Sequence, residues 1–368
     1  MIKSFLDDWL DERESAKFNL GESGVANRQV SEIIPPERLA EILGPLDFDH
    51  NPTRGSDELR AQAAQLYEHA APENVLITAG ASEAILVYFL ARREERSNVV
   101  VLTPAFHSLY DVPAALGFEV RQVMLDYASG YGLPLQKILD TVDQCTRCIV
   151  LTTPNNPMGT VFEQNDILAL AKALEAYDCD IMLDEQYRLL PHDETVLRFP
   201  SAANITPRII SAGSAGKCYG AVGLRVGWMV ADVELIAKMD AVKMLTTHAI
   251  SKVSDRICLE LMRGGQGLLR SNRSAIGANK KRFAAVIASC AGKLEWVEPE
   301  GGSVAFPRLA DGACSREFGD RLYQQTDVLV LPGEAFDCPG FFRIRLGADQ
   351  QEFALAMDRM ANFLNANS

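Results

Sequence analysis

Two rhythms of apolar residues divide the chain. Short, nearly unbroken apolar runs recur at 75–78, 98–102, 148–152, 180–183, 209–212 and 228–230, and the more polar 118–125 reads as a further strand. Runs of this length without polar alternation predict strands of a mostly parallel sheet covered on both faces. Helical spacing lies between them. Ser56 is placed to cap a helix carrying Glu58, Leu59, Ala63 and Leu66, Gly80 opens a helix through Ala91, and 165–176 is amphipathic. The ends of the chain read differently. In 4–12 (SFLDDWLDE) Phe5, Leu6, Trp9 and Leu10 share one helical face. Beyond 250, helices at 254–262 and 267–290 flank Gly264-Gly265-Gln266-Gly267. Short strands at 294–297, 301–307, 328–331 and 342–346 then surround helices at 315–326 and 350–365. The pattern predicts an α/β large domain over 35–250, and a small α+β domain made from 1–34 and 251–368.

Composition narrows this picture. The chain has 368 residues, 48% hydrophobic and 23% charged, enough for a large core. A net charge of -13 with no Lys/Arg run argues against a nucleic-acid partner. No apolar run approaches the roughly 20 residues that span a bilayer. The start, with Asp7, Asp8, Asp11 and Glu12, lacks a signal-peptide core, so a cytoplasmic protein without membrane partners is expected. The eight cysteines are scattered, and Cys145-Thr-Arg-Cys148 has no second pair to complete a metal site, so no metal is expected.

Candidate chemistry centres on 209–230, IISAGSAGKCYGAVGLRVGWMV, where one lysine sits in a small-residue turn between two apolar runs. Burial of Lys217 among Ala, Gly and Cys would lower its pKa towards that of a nucleophilic amine suited to a Schiff base. Gly80-Ala81-Ser82 opens a helix after a strand, where backbone N–H groups favour an anion. Other polar groups stand at predicted strand ends: Asn156 in Asn-Pro-Met-Gly, Asp184 and Tyr187 in Asp-Glu-Gln-Tyr, and Ser214 and Arg225 around the lysine.

Their order, Gly-Ala-Ser, Pro-x-Phe, Asn-Pro-x-Gly, Asp-x-x-Tyr, Ser-x-x-Lys and Arg-x-Gly-Trp, resembles the class I/II aminotransferase-fold (fold-type I) pyridoxal-phosphate enzymes over essentially the whole chain. The resemblance implies pyridoxal 5'-phosphate as cofactor, with Lys217 forming the Schiff base. It implies Ala81, Ser82, Ser214 and Arg225 at the phosphate, Phe106 stacked on the ring, and Asp184 at the pyridine nitrogen. Asn156 and Tyr187 would share the phenolic oxygen. Arg343 would grip the substrate α-carboxylate, with Arg345 on the opposite side of its strand, and Ser23 and Gly24 would lie in a segment over the substrate. A seven-stranded-type sheet and a homodimer with shared active sites are also implied. His50 stands where relatives carry a tyrosine that reaches the neighbouring subunit's phosphate, and Thr246-Thr247 is a candidate partner contact.

Three functions compete. Trp9, the 21–25 loop, the 302–309 segment and Pro332-Gly333-x-x-Phe336 resemble the capreomycidine and enduracididine synthase-like subgroup. That resemblance favours elimination and cyclisation of a hydroxylated arginine-type amino acid, with Asp7, Asp8 or Glu22 as candidate holders of its guanidinium. Transamination with a 2-oxo acid acceptor is the rival, and a non-catalytic binding protein the remote alternative, disfavoured because Lys217, Asp184, Asn156, Tyr187, Ser214 and Arg225 are all present.

Overall fold

The computed structural model describes residues 5–290 and 292–366. Its centre is a seven-stranded sheet: β1 (Val75–Thr78), β2 (Asn98–Thr103), β3 (Glu119–Met124), β4 (Thr146–Thr152), β5 (Asp180–Asp184), β6 (Ile209–Ser214) and β7 (Gly227–Val230), in spatial order β1-β7-β6-β5-β4-β2-β3. β2 to β6 pair in parallel, and β7 runs antiparallel to both β6 and β1. The central strands are buried along their length because helices cover both faces. β3 departs from that rule. It is a sheet edge, and Glu119 and Met124 are exposed.

Only residues 215–226 separate β6 from β7, and they hold two short helical turns, Gly216–Tyr219 and Val222–Leu224. A parallel return would need a full crossover, so this short connection turns the chain back antiparallel. The lysine is thereby fixed at the end of β6.

Both ends of the chain meet in the smaller part. Phe18–Asn19 pairs in parallel with Val328–Leu329, and Trp9 Nε1, on the helix Phe5–Asp11, donates to Val330 O at 3.0 Å. Ser4, also expected in that helix, lies outside the described residues. Phe342–Arg345 is the middle strand of a three-stranded antiparallel sheet between Val304–Ala305 and Leu331–Pro332.

Several expected bounds move. The run 328–331 splits into two strands that pair with different partners. The strand expected at 294–297 narrows to Leu294–Glu295, and the one at 301–307 to Val304–Ala305. Ser56 does cap its helix, accepting from Leu59 N at 3.2 Å, but the helix ends at Ala64, short of Leu66. The glycine-rich linker shrinks to Gly265, which separates helices Lys252–Gly264 and Gln266–Ser289. A Cβ there would lie 2.4 Å from Leu261 O and 2.6 Å from Tyr219 Cε1, a close approach that only glycine permits.

Candidate active site

The strand ends of the parallel sheet converge on a cavity of about 180 Å³, the usual site for a ligand in an α/β fold. Every strand but β3 brings a particular group. The turn after β1 brings Gly80, Ala81 and Ser82, and the loops after β2 and β4 bring Phe106 and Asn156. β5 ends on Asp184, with Gln186 and Tyr187 just beyond, and β6 ends on Ser214, followed by Lys217 in its short helix. Arg225 enters from a left-handed turn, φ 51°, before β7, and Ser23 comes from the N-terminal segment.

Lys217 Nζ donates to Ser23 Oγ at 2.9 Å. Burial, followed by the nearby Arg343 cation, lowers the Lys217 pKa to about 8. Asp184 is buried, its Oδ1 has no hydrogen-bond partner, and burial pushes its carboxyl up to about 7. Tyr187 is also buried, with its phenol pushed up to about 12. A Cβ on Gly80, whose φ is 83°, would lie 2.8 Å from Arg225 Nη2. One on Gly227 would lie 2.5 Å from Ala81 N. These two glycines let the guanidinium and the N-terminus of helix Ala81–Ala91 meet.

A phosphorylated pyridine aldehyde fits these groups. The helix N-terminus, Ser82 and Arg225 suit the phosphate dianion. The lone Asp184 oxygen suits a protonated ring nitrogen, and a buried carboxyl oxygen without a partner would otherwise be a standing cost. The amine of Lys217 suits the aldehyde. Asn156 accepts from Arg343 Nη1 at 3.0 Å through Oδ1, which leaves its N–H groups to donate to a phenolic oxygen.

Of the residues expected at the cofactor and at the substrate backbone, all border the cavity except Gly24 and Arg343; none of the candidate guanidinium holders Asp7, Asp8 and Glu22 lines it. A Cβ on Gly24 would sit 3.4 Å from Lys217 Cδ, so this residue packs against the lysine stem. Arg343 lies behind Asn156, 1% exposed. It donates to Gly21 O at 2.7 Å as well as to Asn156, its Nε has no partner, and burial lowers its pKa to about 10. Arg345 leaves its strand in another direction, donating to Gly24 O at 2.7 Å and Val25 O at 2.6 Å.

Gln186, Ile85, Val222 and Val226 also line the cavity without having been singled out by the sequence. Periodicity carries no signal for them; only the position of Gln186 between Asp184 and Tyr187 could have drawn notice. His50 is exposed and does not line the cavity, its ring 5.5 Å from that of His248. Thr246 and Thr247 donate their hydroxyls to Glu83 Oε1 of the same chain, each at 2.7 Å. Cys148 is buried and Cys145 exposed; among the described residues no group of three or more His, Cys, Asp or Glu could hold a metal ion. No helix among them is long and apolar enough to cross a membrane.

Known proteins resemble this chain over nearly its whole length. The chain is 28% identical to capreomycidine synthase of Streptomyces vinaceus over 367 residues, covering 99% of this chain and 94% of that one. It is 23% identical to aspartate aminotransferase of Thermotoga maritima, over 90% of this chain and 87% of the relative. The crystal structure of the PLP-dependent cyclase OrfR superposes with a TM-score of 0.90 at 23% identity, covering 100% of this chain and 98% of the other. The sequence model of aminotransferase class I and II matches residues 31–360, and the chain therefore belongs to that family of pyridoxal-phosphate enzymes.

Proposed function

We propose that this enzyme eliminates water from, and cyclises, an amino acid that carries a hydroxyl leaving group at Cβ or Cγ and a guanidinium nucleophile. The observation that carries this reading is the end-to-end match to capreomycidine synthase, which includes the N-terminal segment lying against Lys217. The cofactor, when bound, supplies an electron sink for negative charge at Cα. In this reading Lys217 moves the Cα proton, Asp184 keeps the ring nitrogen protonated, and Arg343 orients the α-carboxylate. Loss of the hydroxyl as water and attack by a guanidinium nitrogen on the carbon it leaves would close the ring, the amino group staying on the product.

Transamination is supported by the aspartate aminotransferase relative and uses the same first proton transfer. The two part at the fate of the amino group. The holoenzyme given β- or γ-hydroxyarginine and no 2-oxo acid should turn over many times, release one water per substrate, and retain all substrate nitrogen in the product. Turnover limited to one equivalent per site until pyruvate or 2-oxoglutarate is added would overturn the cyclase reading in favour of transamination.

A further inference from the structure

His192 lies outside the cavity, on the loop that follows Tyr187, and both of its ring nitrogens face backbone carbonyls. Nδ1 is 2.9 Å from Pro299 O, and Nε2 is 2.8 Å from Gly302 O. A neutral imidazole has one N–H and can donate to only one of them. Pro299 O has another donor, since Lys280 Nζ, paired with Glu298 at 2.8 Å, reaches it at 3.2 Å. No other donor among the described residues reaches Gly302 O. The single proton therefore belongs on Nε2. Burial, the largest influence, holds the His192 pKa below its ordinary value against the opposing pull of the Gly302 carbonyl, so the neutral ring predominates at neutral pH.

What His192 grips is the segment 299–302, which packs behind two residues of the cavity. Glu300 N and Gly301 N both donate to Gly159 O, at 2.9 and 3.0 Å, in the turn that carries Asn156. Gly302 N donates to Leu190 O at 2.9 Å and His192 N to Glu300 O at 3.0 Å, which laces the segment to the loop after Tyr187. Gly302 has φ 81°, and a Cβ on it would lie 3.3 Å from Tyr187 Cγ, so this glycine rests against the stem of the phenol. The Glu300 carboxylate is engaged elsewhere, accepting from Val161 N at 3.1 Å.

We propose that His192 is a positioning residue for Tyr187: its Nε2–H holds the Gly302 carbonyl, and the glycine so fixed keeps the phenol aimed at the phenolic oxygen of the cofactor. The proposal rests on the reading of Tyr187 as a donor to that oxygen.

The tautomer is read first, from the imidazole nitrogen NMR shifts of the unsubstituted, cofactor-free protein at neutral pH. A proton on Nε2 is expected, and one on Nδ1 with Nε2 bare would overturn the proposal. This measurement also covers the case in which a His192 variant fails to fold. The second readout is the pH midpoint of the cofactor's visible absorption band in the holoenzyme, which follows the proton shared between the Lys217 nitrogen and the phenolic oxygen. A donor to that oxygen favours the form that has lost the proton, so a lost or misaligned donor raises the midpoint. Tyr187→Phe should raise it by about one pH unit, tenfold in proton affinity, and His192→Phe, a ring of similar shape without N–H groups, by about half a unit, about threefold. His192→Gln, which keeps a donor for Gly302 O, should stay close to the wild type. The double variant should match Tyr187→Phe alone, because His192 acts through the phenol.

A midpoint moved by Tyr187→Phe but not by His192→Phe, or a further shift in the double variant, would overturn the proposal. Failure of the underlying reading is seen separately: a midpoint unmoved by Tyr187→Phe would mean that the phenol is no partner of the oxygen, whatever His192 holds.

Discussion

Lys217 and Asp184 make opposite demands on the proton. Asp184 in the folded chain keeps its proton up to about pH 7, against an ordinary value of 3.8, so the stability it allows is full below about pH 4 and is lost as pH rises through 7. Lys217 has a folded pKa of about 8 against 10.5, so its contribution is full above about pH 10.5 and is lost as pH falls through 8. Both penalties therefore act between pH 7 and 8. At about 1.4 kcal/mol per unit, Asp184 alone costs the cofactor-free protein on the order of 4 kcal/mol there. The thermal stabilisation conferred by pyridoxal 5'-phosphate should accordingly be largest near pH 7 to 8 and much smaller at pH 4. A gain that is flat with pH in differential scanning calorimetry would contradict the assignment of Asp184. For Lys217, borohydride treatment of the holoenzyme followed by denaturation should leave cofactor attached to the wild type and none to Lys217→Ala, read by mass spectrometry. Arg343→Ala should raise the substrate KM about 10- to 150-fold while leaving cofactor affinity nearly unchanged, as expected for loss of a charge-assisted pair. The reverse pattern would mean that Arg225 and Arg343 have exchanged roles.

Among the elements, the turn after β1 shows how a weak sequence signal becomes a binding surface. Gly80-Ala81-Ser82 is one of many strand-to-helix turns a sequence can offer. What makes it a cradle is β7, which runs beside β1 and brings Gly227 against the backbone of Gly80 and Ala81. Gly227→Ala would place a methyl 2.5 Å from Ala81 N, and the turn would have to move. We expect a loss of about 1–3 kcal/mol in stability and at least a tenfold weaker affinity for pyridoxal 5'-phosphate, measured by equilibrium dialysis. Unchanged affinity would mean that the helix N-terminus takes no part in holding the phosphate. The strands themselves were legible in the sequence because β2, β4 and β5 are buried on both faces and their apolar runs are unbroken. The site residues were legible because they follow those runs. Contacts between elements distant in sequence were not. Nothing in the spacing of Thr246 and Thr247 foretells Glu83, which lies more than 160 positions away, and the pairing of Gln186 with Ser214 joins neighbouring strands whose adjacency the sequence does not state.

For the whole molecule, the N-terminal segment is the part whose sequence says least about its importance. It reads as a short amphipathic helix and a polar turn, yet it closes the lysine side of the cavity through Ser23 and occupies two buried or half-buried arginines through the carbonyls of Gly21, Gly24 and Val25. Its anchor is Trp9, 3% exposed, with the Arg13 guanidinium 3.8 Å above the ring and Arg13 paired with Asp320. Trp9→Ala should cost about 3–5 kcal/mol in denaturant titration and lower activity more than it lowers cofactor affinity; a change under about 1 kcal/mol would show that the helix is not what seats the segment. The short parallel pairing of Phe18–Asn19 with Val328–Leu329 completes the attachment. Such a segment is in effect a peptide ligand tethered to its own receptor, and the tether supplies an effective concentration in the millimolar range. Severed at Pro35, a peptide spanning residues 5–34 should therefore rebind to the remaining chain in trans and restore turnover as its concentration approaches that range, with Trp9→Ala in the peptide raising the amount required.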